Sequence, residues 1–198
     1  MTGRASIWYG AHVADDSELR LCGDLAGKRA IELGVGPTSN AVAIAAAGAR
    51  AIAVDPSADA VARVRAAAEA AEVSVQCHQV DLADLGFATS ASIDLVVAAH
   101  SLDDVDDLPR LLRQVHRVLR PGAGFVIAVR HPVAHMFEAN DPIPRRHYGA
   151  EGLTFAELYM SLERSDFHCD AIHELDDRRL RDPISPAVLV LRARKLGV

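Results

Sequence analysis

Ala30-Ile31-Glu32-Leu33-Gly34-Val35-Gly36-Pro37-Thr38-Ser39-Asn40 is the stretch whose reading decides the fold. It reads as a short buried strand ending in an acidic residue, then a glycine turn, then a helix start. Glycine has no Cβ, so the backbone of such a turn can pass close to a ligand. The helix that follows points unpaired N–H groups at the same spot. The pattern predicts a nucleotide-sized pocket, and the rest of the chain decides which nucleotide.

Outward from this stretch, apolar runs alternate with helical ones. Strands are predicted over 28–33, 50–55, 73–80, 93–100 and 125–129. Helices are predicted over 15–26, 39–47 and from Pro56-Ser57 to about Ala70. Leu108, Leu111, Leu112, Val115, Val118 and Leu119 fall at helical spacing and make an amphipathic helix stopped by Pro121-Gly122. Strands apolar on both faces that alternate with helices mean a parallel sheet covered on both sides. The fold class is therefore α/β, a doubly wound, mostly parallel sheet, with the ligand beyond the carboxyl ends of the strands at the switch point. After 132 the rhythm changes. Residues 131–152 predict a short helix and loop over the pocket, and 154–164 a helix. Strands over 169–175 and 188–194 are joined by a connection too short for a packed crossover helix, so they pair antiparallel. One domain is expected: an N-terminal arm and helix (1–27), a core (28–132), a substrate-side lid (133–170) and a strand pair (171–198).

Composition narrows the function. The 198 residues are 50% hydrophobic and 24% charged, which places the chain among globular domains. A formal charge of −6 and the lack of a basic stripe argue against nucleic acid as the main partner. Cys22, Cys77 and Cys169 are odd in number and far apart, and support neither a disulfide framework nor a zinc site. No signal-peptide pattern opens the chain, and no apolar run approaches the roughly 18–20 residues that span a bilayer. The expectation is a soluble cytoplasmic protein, a monomer or homodimer, without metal, membrane or nucleic acid.

Asp55 closes the second strand 19 residues after Gly36, where a carboxylate takes ribose hydroxyls. Both NAD and S-adenosylmethionine carry such a ribose. The dinucleotide fingerprint needs glycine where Ser39 stands, and Asp81 after the third strand offers an acceptor for an adenine amino group. With Ile31-Glu32-Leu33-Gly34-Val35-Gly36, Val54-Asp55-Pro56-Ser57, Val80-Asp81-Leu82, Asp94-Leu95-Val96-Val97, Val105-Asp106-Asp107-Leu108, Val118-Leu119-Arg120-Pro121-Gly122-Ala123-Gly124 and His131-Pro132 in this order, the chain resembles a class I S-adenosylmethionine-dependent methyltransferase of the small "type 11" group.

That resemblance implies a seven-stranded Rossmann-like fold, S-adenosyl-L-methionine as cofactor and S-adenosyl-L-homocysteine as product. It places Glu32 and Gly34 by the methionine part and Gly36 at a close backbone approach. Asp55 falls on the ribose, Asp81 on the adenine amino group and Leu82 beside the ring, with Pro56 and Ala99 completing the set. His100 would lie near the methyl group. Thr38 departs from the family, which usually has a third glycine there.

Methyl transfer from a sulfonium needs alignment more than acid–base help. A base serves a phenol, an alcohol or a protonated amine, and histidine suits that role at neutral pH. His100 and His131 are the catalytic candidates, and His135 and Tyr148 the substrate-side ones. His131 and His135 also stand four apart, the spacing of metal ligands on a helix, but Pro132 lies between them and no local carboxylate completes a set. The acids Asp103-Asp104 and Asp106-Asp107 suit a helix start. Arg145-Arg146 is either a clamp for an acidic substrate or a solvated loop. Trp8 and Tyr9 either close over the cofactor or pack as an apolar patch. The function implied is methyl transfer to a small-molecule oxygen or nitrogen nucleophile. The alternative is a protein of this fold that binds the cofactor without transferring methyl, as a cyclase, isomerase or ligand sensor. An NAD-linked oxidoreductase is disfavoured by Ser39 and by the missing Tyr-x-x-x-Lys set.

Overall fold

A computed structural model describes residues 6–103, 105–138 and 141–197. Asp104, one of the acids noted above, lies outside the described residues. The strands are β1 (Arg29–Leu33), β2 (Arg50–Val54), β3 (Val75–His78), β4 (Ile93–Ala99), β5 (Leu119–Arg130), β6 (Phe167–Leu175) and β7 (Val188–Lys195). The helices are α1 (Asp16–Leu19), α2 (Asn40–Ala46), α3 (Ala58–Ala70), α4 (Leu108–Val118) and α5 (Phe155–Glu163), with a single 3₁₀ turn at Ala134–Met136. One seven-stranded sheet runs in the order β3-β2-β1-β4-β5-β7-β6. The first five strands are parallel, and β7 runs antiparallel between β5 and β6. This is the doubly wound, mostly parallel sheet that the alternation predicted, with the switch point between β1 and β4.

Successive strand residues feed opposite faces. Ala30, Ala51, Ala53, Val126 and Ala128 join Ala41 and Ile44 of α2, Val64 of α3 and Tyr9 of the arm. Their small size lets the helices approach the sheet closely. Ile31, Leu33, Ile52, Phe125 and Ile127 pack instead against Leu111, Leu112 and Val115 of α4 and Leu158 and Leu162 of α5. Burying each such Leu or Ile contributes about 1.5–3 kcal/mol before conformational entropy is counted. Among the described residues no helix is long and apolar enough to cross a membrane.

Three elements differ from expectation. The helix predicted over 15–26 ends at Leu19. Arg20 turns to φ 54°, and the Asp16 carboxylate accepts the N–H groups of Leu21 (2.7 Å) and Cys22 (3.3 Å) and the hydroxyl of Tyr9 (2.6 Å). An acid that gathers backbone donors this way competes with the helix. Leu21 and Leu25 still reach the core, now from a loop. Pro121-Gly122 do not end α4 in a loop, because the chain enters β5 directly at Leu119. Ile93 stands opposite Leu119 and Leu95 opposite Gly124, so the irregularity between them absorbs the proline and glycine. Finally, β3 keeps only the middle of its predicted span, so Asp81 sits past the strand in an exposed turn.

Candidate functional site

The glycine turn is built by close packing at the switch point. Gly34 stands at φ 78°, and a Cβ there would fall 2.2 Å from Ser101 Cβ. Ser101, just past β4, donates its hydroxyl to the Leu33 carbonyl at 2.5 Å. The second strand closes the turn from the other side. Asp55, 9% exposed, accepts Val35 N–H on one carboxylate oxygen (2.7 Å) and Ser57 N–H on the other (2.8 Å). Each oxygen keeps a second lone pair.

Glu32 lies on the core side of this turn. It is 1% exposed and accepts the N–H groups of Asn40 (2.7 Å) and Ala41 (2.9 Å) and the Ser39 hydroxyl (2.9 Å). Burial pushes its carboxyl above the ordinary range, against the pull of these donors. The sequence reading is corrected here: two of the α2 N–H groups expected to face a ligand are taken by Glu32. The carboxylate fixes the turn from behind.

The remaining candidates surround the same rim. Pro56 is exposed beside Asp55, and Ala99 is buried at the end of β4. Asp81 is exposed, with one oxygen accepting Ala83 N–H at 2.8 Å; Leu82 is half-buried against the core. Beside them His78 stacks on Phe87, ring centroids 3.7 Å apart. Thr38 is exposed and outside the left-handed backbone region, so its Cβ meets no conformational obstacle where the family usually has glycine.

The arm divides between its two alternatives. Tyr9 is wholly buried core, whereas Trp8 lies over the turn, a Gly36 Cβ falling 3.3 Å from its ring. Asn40 holds Trp8 in place: it accepts the Trp8 N–H at 2.7 Å and donates its amide to the Trp8 carbonyl at 3.0 Å.

The histidines separate by what their nitrogens already do. His100 stands at φ 55° and donates Nε2–H to the Tyr9 carbonyl at 2.7 Å, with Trp8 5.5 Å from its ring; it ties the arm down and keeps only Nδ1 free. His131 is 6% exposed, accepts Val133 N–H on Nδ1 (3.2 Å) and donates Nε2–H to Glu174 (3.0 Å). Neither of its nitrogens is left for a substrate, which corrects its placement as a base. His135 is 8% exposed and has no hydrogen-bond partner on either nitrogen. Tyr148, the other substrate-side candidate, is exposed, and its hydroxyl accepts Phe155 N–H at 3.0 Å. Arg145 pairs with Asp141 (2.6 Å) and Arg146 with Glu151 (2.8 Å), so both guanidinium groups are bound within their own loop. Asp107 caps α4, accepting Arg110 N–H at 2.9 Å, as an acid at a helix start does. Among the described residues no three His, Cys, Asp or Glu side chains converge to hold a metal.

Residue-pattern reading missed Ser101, which a bare serine after a strand does not advertise. It also missed the pairing of Asn40 with Trp8 across 32 positions. A cavity of about 550 Å³ lies beyond the carboxyl end of β5, between Arg130, Ala134 and Phe137 on one side and Leu180, Ile184 and Pro186 of the β6–β7 connection on the other.

The rim fits S-adenosylmethionine. The Gly34 cradle admits no side chain, Asp55 retains acceptor capacity for two hydroxyls, and Asp81 keeps an oxygen toward solvent. Residues 31–127 match the methyltransferase-domain family. No curated protein matches the chain by sequence. Among solved structures it is similar to an S-adenosylmethionine-dependent methyltransferase from Mesorhizobium loti, with a TM-score of 0.73 and 23% identity over 89% of this chain and 95% of that one. A geranyl diphosphate methyltransferase in complex with S-adenosylmethionine aligns at 0.71, with 14% identity over 91% and 84%. The [4+2]-cyclase SpnF aligns at 0.70, with 19% identity over 99% and 89%. Identities this low show a shared fold. Taken with the match of residues 31–127 and the strand order, they support a class I S-adenosylmethionine-dependent methyltransferase fold with S-adenosylmethionine as its cofactor.

Proposed function

We propose that this protein transfers the methyl group of S-adenosylmethionine to an oxygen or nitrogen nucleophile of a small molecule. The observation that carries this reading is the 550 Å³ cavity, of ordinary small-ligand size, in which apolar Phe137, Leu180 and Ile184 share the wall with charged Arg130, Asp177 and Arg179. It opens beyond the carboxyl end of β5, on the same edge of the sheet as the switch point between β1 and β4. The chain's charge of −6 favours a free small molecule over nucleic acid as the partner.

Bound there, the cofactor supplies an electrophilic methyl on a sulfonium. Gly34 and the Ser101 contact shape the wall beside the methionine part, while Asp55 receives the ribose hydroxyls and Asp81 the adenine amino group. Glu32 contributes at one remove by holding the turn. Trp8, anchored by Asn40, covers Gly36 and keeps water from that side. Alignment and exclusion of water are what an in-line displacement most needs.

A second reading is favoured by the likeness to a cyclase of this fold: the cofactor is bound but methyl is not transferred. Calorimetry with S-adenosylmethionine and S-adenosylhomocysteine, followed by mass spectrometry of turnover mixtures, separates the two. Binding of neither compound defeats both readings. Release of S-adenosylhomocysteine in step with a methylated acceptor eliminates the second.

A further inference from the structure

One cluster, set beside the 550 Å³ cavity next to its wall residues Arg130 and Ala134 without lining it, bears on which nucleophile is methylated, and its role rests on the methyl-transfer reading above. His135 is buried with both ring nitrogens unpaired, a state that costs free energy and that native proteins keep sparingly. Glu151 Oε2 stands 3.8 Å from Nδ1, and Arg146 fixes that carboxylate through its other oxygen at 2.8 Å. Asp103, two residues beyond Ser101, faces the other nitrogen. Its Oδ1 lies 3.3 Å, and His135 Nε2 3.1 Å, from the single point where a Gly152 side chain would begin. Among the described residues Asp103 makes no ion pair. Arg130, held on the Ala134 carbonyl at 2.9 Å, brings a positive charge near the ring from the end of β5.

We propose that Asp103, His135 and Glu151 form the acceptor subsite for an amine, in which Asp103 receives the protonated amino group and Nε2 of His135 takes its proton. An ammonium nitrogen has no lone pair, so the proton must leave before the methyl arrives. It passes to Nε2, and the resulting imidazolium faces Glu151 through Nδ1–H. The freed nitrogen lone pair then forms the N–C bond as the methyl's C–S bond breaks, with its electron pair left on sulfur. A phenol or alcohol brings no positive charge to an unpaired carboxylate; an ammonium does. Burial, with Arg130 beside it, holds the His135 imidazole below its ordinary range against the pull of Asp103 and Glu151. His135 Nε2 lies under the exposed turn that ends at Gly152.

The test uses the full chain with ring-¹⁵N histidine and S-adenosylhomocysteine bound, titrated with benzylamine, phenol and benzyl alcohol. Benzylamine alone should shift the His135 ring signals, and Asp103→Asn should weaken that response by roughly tenfold. With labelled S-adenosylmethionine, transfer to benzylamine should fall on the order of 100-fold in His135→Gln while cofactor affinity stays unchanged. Silence of the ring toward benzylamine, equal shifts from phenol, or transfer in His135→Gln within about threefold of the parent overturns the proposal. If S-adenosylmethionine fails to bind at all, the functional reading falls as well. If it binds and the ring is silent, only this inference falls.

Discussion

The glycine-turn side of the sheet's rim and the His135 side differ in how fully their polar groups are paired. Around Gly34, the buried Glu32 carboxylate accepts three hydrogen bonds, Asp55 accepts two, and Ser101 closes on Leu33. Around His135, two ring nitrogens have no partner and the nearest carboxylate oxygen is 3.8 Å away. The first region is folded into its working shape before any ligand arrives. The second holds polar groups without satisfying them, at a cost in stability, which is the usual mark of a place kept for function.

Substitutions can break this contrast, and the largest effect belongs to the turn. Gly34→Ala drives a Cβ to 2.2 Å from Ser101 and sits at φ 78°, so a loss of about 3 kcal/mol or more in unfolding free energy is expected by urea denaturation. Glu32→Ala strands buried N–H groups at the start of α2 and should cost about 2–3 kcal/mol by the same measurement. Asp55→Ala should weaken S-adenosylmethionine binding by about 1–3 kcal/mol, read by calorimetry. An unchanged affinity would separate the carboxylate's role in the turn from any role toward the ribose.

On the other side, His135→Leu removes unpaired polar atoms from a buried site. It should leave stability at neutral pH within about 1 kcal/mol of the parent. It should also flatten the pH dependence. His135 has a folded pKa below its unfolded one, so the unfolded chain binds the extra proton first as pH falls. Its contribution is present above about pH 6.5 and is lost on acidification through the folded value. Denaturation midpoints for parent and variant on either side of pH 6.5 check this. A parent with no steeper acid loss than the variant contradicts the unpaired state. The smallest effect belongs to Thr38→Gly, expected within about 0.5 kcal/mol in both stability and cofactor binding, because Thr38 is exposed and unstrained.

How much was legible follows the same division. The strands and helices of the core could be read in order because each is contiguous and patterned. Asp55 and Asp81 could be picked out as candidates because a carboxylate following a strand is a local signal. The end of α1 could not, because it depends on Asp16 gathering donors from Tyr9, Leu21 and Cys22 together. Nor could the ranking of the histidines. His100 and His131 stand beside the right strand ends, yet Nε2 of the first goes to the Tyr9 carbonyl, 91 positions away, and that of the second to Glu174, 43 away.

The sequence by itself determined the α/β alternation, the glycine turn, the carboxylates that follow it and hence the cofactor, because these reside in local periodicity and in residue types at strand ends. The tertiary structure alone decided that Glu32 faces the helix behind the turn, that Ser101 closes on Gly34, and that of three histidines only His135 is left with both nitrogens unpaired. The physical reason is that a polar group's role is set by the partner it meets in space, and these partners lie 8 to 91 positions away in the chain.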